Sequence, residues 1–172
     1  MFTEKVDVTG SYNVLCLDST GATKWEDTIK NLVVTVGKND LLDKYFAGSA
    51  YTAAWYMGLV DNASFTAYAA GDTLVSHTGW LENLGYTFSG SASNRATVAW
   101  GAASAGSKVS SAATFNITAD STILGAMMCT AQARNTTSNG GSGVLYSAGS
   151  FTGSSRAVIS GDSLLITYTA SV

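Results

Sequence analysis

The chain contains no proline, a single histidine, two cysteines and only 12% charged residues in 172. Each shortage excludes something. Without proline, the turns must be carried by glycine, of which there are 18. An enzyme concentrates acids, bases and nucleophiles in one place, and so sparse a titratable set argues against catalysis. The nine basic residues are scattered from Lys5 to Arg156. No stripe exists to track a phosphate backbone, so nucleic-acid binding is not expected. No apolar run approaches about 20 residues, so no membrane association by a spanning helix is expected. No apolar stretch follows Met1-Phe2-Thr3-Glu4-Lys5, so the start does not read as a secretory signal and synthesis in a cytoplasm is expected. Cys16 and Cys129 lie far apart, each in an apolar stretch. They read as buried small hydrophobes; with no Cys-x-x-Cys and no histidine nearby, neither a metal nor another cofactor is expected.

What is present is a β-rich pattern. Hydrophobic residues make up 46% of the chain and the net charge is −3. That suits one domain, residues 12–172, preceded by a possible N-terminal arm over 1–11. A surface poor in Lys and Glu costs little to desolvate, which suits an interface-rich protein and equally a plain β-domain with a Ser/Thr surface.

Residues 12–17 and 24–29 flank Asp18-Ser19-Thr20-Gly21 and predict a hairpin. The β-branched run 31–36 predicts a further strand. Residues 54–60 are apolar on both alternating faces, with Tyr56 and Val60 on one and Trp55, Met57 and Leu59 on the other. Residues 123–131 are similar, so both read as strands covered on two sides. Residues 114–119 alternate cleanly, and Leu164, Ile166 and Tyr168 line one side of the last strand. Weaker strand signals occur at 95–100, 143–147 and 156–160. Leu41, Leu42, Tyr45 and Phe46 recur at helical spacing and predict a short helix over 39–47, with a second helical turn from Asp72. Residues 87–113 and 133–143 read as loops. Gly71-Asp72-Thr73-Leu74 echoes Gly161-Asp162-Ser163-Leu164, and Ser104-Ala105-Gly106-Ser107 echoes Ser147-Ala148-Gly149-Ser150. The spacings give no repeat and point to reused turn chemistry. The fold class expected is mainly β: an antiparallel sandwich or jelly-roll-like barrel with one or two short helices.

No motif assembles a reaction centre. His77 has no positioned nucleophile and no nucleophile elbow accompanies it. Glu26 and Asp27 point to opposite faces of a strand. Asp40 and Asp43 sit with Lys38 and Lys44 on a helix, as a solvated face does. Asp61, Asn62 and Asp72 lack the spacing of a calcium loop. The aromatic residues, crowded into the first half, are the remaining signal. Trp25, Tyr45, Phe46, Trp80 and Tyr86 are the candidate interface anchors, with core packing the competing account of each. Trp80 with Glu82 and Asn83 also permits a carbohydrate-binding reading.

One long pattern goes further. Residues 24–46, KWEDTIKNLVVTVGKNDLLDKYF, are followed by Trp55-Tyr56-Met57-Gly58-Leu59-Val60-Asp61 and by 68–80, YAAGDTLVSHTGW. Near the C-terminus come 146–151, YSAGSF, and 156–164, RAVISGDSL. Together these resemble a group of tailed-bacteriophage virion structural proteins, most closely capsid decoration, or cement, proteins. The resemblance implies a non-enzymatic protein on the capsid exterior, made in the bacterial host cytoplasm. Its implied partners are the major capsid protein and other copies of itself, as a dimer or trimer. A tail, collar or fibre-base component is the alternative within virions, and a carbohydrate-binding module the alternative outside them. The resemblance assigns no catalytic residue.

Overall fold

The computed structural model describes residues 7–46, 48, 54–134 and 143–172. Thirteen strands and one helix occur among them. The strands are β1 Thr9–Leu17, β2 Thr23–Lys30, β3 Leu32–Val33, β4 Trp55–Asp61, β5 Leu81–Glu82, β6 Tyr86–Thr87 and β7 Ala96–Val98. After them come β8 Ser107–Val109, β9 Ala113–Ile117, β10 Ser121–Cys129, β11 Leu145–Ser150, β12 Arg156–Val158 and β13 Ser163–Ser171. The helix, α1, spans Thr35–Phe46. The strands form two antiparallel sheets packed face to face. The first has the order β2-β1-β13-β9-β6, with β8 also on β13. The second has the order β3-β11-β10-β4-β5, with β12 on β10 and β7 on β4. The result is a sandwich. Of the two architectures expected, the closed barrel is not formed.

Local chemistry explains the first hairpin. The Asp18 carboxylate accepts from the Thr20 and Ala22 amides at 2.8 and 3.0 Å and from the Thr20 hydroxyl at 2.6 Å. Gly21 supplies the positive φ of 85° that closes the turn. Thr9, Gly10 and Ser11 pair with Ser171, Ala170 and Thr169. Part of the stretch expected as an arm therefore belongs to the first sheet, and residues 1–6 lie outside the described residues.

Two cores follow from the alternation read in the sequence. Between the sheets lie Tyr12, Val14, Met57, Leu59, Phe115, Leu164, Ile166 and Tyr168. Behind the second sheet lie Val34, Val60, Leu74, Trp80, Met127 and Cys129. Strands β4 and β10 are thus covered on both faces, as their sequence predicts. Cys16 faces the first core and Cys129 the second, and both are free thiols. A buried hydroxyl pair, Tyr12 and Ser147 at 2.8 Å, joins the sheets across the first core.

Three expectations change. The run 31–36 is a strand only at Leu32–Val33, and helix α1 starts at Thr35 rather than near 39. The β-branched preference yields to packing, because the Val34 amide bonds the Tyr146 carbonyl at 3.1 Å and its side chain enters the second core. Gly37 then lies so close that a Cβ would sit 2.6 Å from the Tyr146 carbonyl oxygen. The helical turn expected from Asp72 is instead a tight turn with Thr73 bridged to Ser76. The expected loop 87–113 carries β7 and β8 and a two-residue turn at Ala105-Gly106, both with positive φ. Most of the second expected loop, residues 135–142, lies outside the described residues.

Candidate interaction surface

The second core is closed by residues 62–80, which fold back over the second sheet as a plug. The Thr35 amide ties the plug to the body through the Ala70 carbonyl at 2.8 Å, and one carboxylate organises its turn. Asp72 Oδ2 accepts from the Ala69 amide at 2.9 Å and from Trp80 Nε1 at 3.0 Å. His77 stacks on Trp80 at 3.8 Å, and its Nδ1 donates to the Trp80 carbonyl at 2.9 Å. Tyr68 packs against the same indole at 5.9 Å. Asp162 repeats the device at the β12–β13 turn, accepting from the Ile159 amide at 2.9 Å and from Lys24 Nζ at 2.6 Å. The echoed Gly-Asp-Thr/Ser-Leu segments are therefore the same turn used twice, each delivering a fully buried leucine, Leu74 or Leu164.

Other ionic groups also work inside the fold. Arg95 and Glu82 are both buried, with Nε donating to Oε1 at 2.9 Å and Nη2 to Oε2 at 2.7 Å. Arg95 Nη1 also donates to the Ala131 and Ala133 carbonyls at 2.9 and 3.0 Å. Asp27 accepts from Arg156 Nη2 at 2.6 Å and from the Thr152 hydroxyl at 2.7 Å, tying the edge strand β2 to the chain that enters β12. Burial works to raise the Asp27 pKa, but the Arg156 guanidinium, the Thr152 hydroxyl and backbone amides outweigh it and hold the carboxyl below its ordinary value. Burial pushes both thiols up to about 11, with the Asp162 charge adding to the effect at Cys16. Asp61 accepts from the Ala63 amide and from Asn83 Nδ2. Among the described residues no three metal-ligating side chains converge.

The five candidate anchors separate into three groups. Trp80 and Tyr86 are fully buried. They are core residues, and Tyr86 lies under the Arg134 guanidinium at 4.0 Å. With Glu82 paired to Arg95 and Asn83 to Asp61, the carbohydrate platform expected on Trp80 has no exposed ring. Trp25 is half-buried, edge-on to Phe151 at 5.4 Å. Tyr45 and Phe46 stay outside, 80% and 77% exposed, and stack edge-to-face at 4.9 Å.

These two rings define the surface. Helix α1 docks through its first turn, at Gly37, and is half-buried again at Leu41. Over its last two turns Leu42, Tyr45 and Phe46 form an exposed apolar stripe, while the Asp40 and Lys44 side chains are mostly covered. The Lys44–Asp40 pair at 2.6 Å braces the same turn. Beside the stripe, the sandwich is open at one end. Trp55, Trp100, Met128, Tyr146, Ala170 and Leu41 line an apolar cleft of about 170 Å3. A second cleft of about 230 Å3 lies along β8 and β13, bounded by Val8 and Val172 and sharing Leu41, Lys108, Tyr146 and Ala170 with the first. The larger depression on the outer face of the first sheet, about 530 Å3, is shallow and bordered by Asn13, Glu26, Thr28 and Thr167. It carries no aromatic side chain, because Tyr12, Trp25 and Tyr168 all turn inward.

The cleft was not legible in the sequence. Trp55, Trp100 and Tyr146 read as strand residues, and only the sheet ends bring them together. A scan against protein-family models finds no match, and a search of curated proteins finds none.

Proposed function

We propose that this chain is a non-enzymatic structural protein of a tailed-bacteriophage virion. In this reading it is a decoration protein that binds the major capsid protein on the head exterior, acts as a dimer or trimer, and cements the shell. The observation that carries the reading is the α1 end. Two large aromatic side chains are held in solvent on a braced helix beside an open apolar cleft, an arrangement that favours burial against another protein. The ionic groups support the same reading. Glu82, Arg95, Asp27 and Asp162 fasten the fold internally, as suits a mechanically durable unit. The virion assignment rests on the sequence pattern of 24–80 and 146–164.

Cementing has a simple thermodynamic form. A protein that binds the assembled shell and not its separated subunits stabilises the shell by mass action, and each added copy contributes again. Many weak contacts on one lattice also raise the effective affinity of an oligomer.

The test is the copy number of this chain in purified virions, measured by quantitative mass spectrometry against the major capsid protein. A ratio near one to one, or a simple fraction of it, is expected. A few copies per hundred capsid subunits would move the protein to the tail, collar or fibre base. Absence from the particle would end the virion reading.

A further inference from the structure

We draw no further inference here: the strongest candidate, the exposed apolar stripe of Leu42, Tyr45 and Phe46 over the last two turns of α1, carries nothing because nothing in the structure shows what covers it.

Discussion

Replacing Glu82 should be among the most damaging single changes in this fold, although it touches no proposed contact surface. Its carboxylate neutralises Arg95, whose guanidinium is fully enclosed. Gly58 makes room for the pair, since a Cβ there would lie 2.7 Å from Glu82 Oε1. Glu82→Ala removes the acceptor of two donors and leaves an uncompensated charge in the interior. The expected loss is about 3–5 kcal/mol, a large share of the 5–15 kcal/mol typical of a whole domain. Glu82→Gln keeps one carbonyl acceptor and should fall below that. The double change Glu82→Met/Arg95→Met removes both charges. What remains is the loss of the two Arg95 bonds to the partly exposed Ala131 and Ala133 carbonyls, about 1 kcal/mol for each. The double variant should therefore cost far less than the sum of its singles, with a coupling of about 3 kcal/mol. Urea unfolding followed by tryptophan fluorescence reads this directly, because Trp80 lies two residues from Glu82. A Glu82→Ala loss under about 1 kcal/mol, or additivity in the cycle, would refute the reasoning.

Other outcomes follow from the same interior. Asp27→Asn should cost about 1–2 kcal/mol near pH 7 by weakening charge-assisted bonds to Arg156. Because the folded Asp27 pKa is depressed, its contribution is complete above the unfolded value near about 4 and disappears as pH falls through the folded value. The wild-type and Asp27→Asn unfolding curves should thus converge in acid; a constant gap would contradict the pairing. With both thiols buried and pushed up to about 11, Cys16 and Cys129 should resist iodoacetamide in the native state and react on unfolding, as mass spectrometry would show. Gly79→Ala places a Cβ 2.1 Å from the Ala67 carbonyl oxygen, so the plug must shift. A loss of about 2–3 kcal/mol is expected in chemical unfolding, and a neutral result would mean that the plug is not rigidly seated.

Much of the architecture was readable because strand periodicity is local. The hairpin at Asp18, the two-faced strands β4 and β10, and the inward row Leu164, Ile166 and Tyr168 need only the alternation of side chains across a pleat. The candidate surface was half readable. Tyr45 and Phe46 stood out as aromatic, but the helical spacing they share with Leu41 and Leu42 also describes a core-facing stripe. Trp80 and Tyr86 had equal claims and went inside, because Asp72 and the β6–β9 pairing hold them there. The Glu82–Arg95 pair left no trace in the sequence, since 13 residues separate partners that meet only when β5 and the β7 entry converge.

The tetrapeptide Ser-Ala-Gly-Ser marks the boundary between local and tertiary control. At 104–107 it is a tight turn, with Ala105 and Gly106 at φ of 49° and 72° and the two serines bonded across it. At 147–150 the same residues lie in strand β11, where Gly149 lets β11 approach Ile29 and Lys30 so closely that a Cβ would sit 2.7 Å from Ile29. By itself the sequence determined a proline-free, charge-poor, alternating chain that must form sheets, with glycine wherever the backbone turns or is crowded. Which glycine turns and which is crowded, which aromatic ring is buried and which is left in solvent, were decided only by the tertiary structure. Those outcomes depend on neighbours distant in sequence, and burial and steric contact exist only once the two sheets have met.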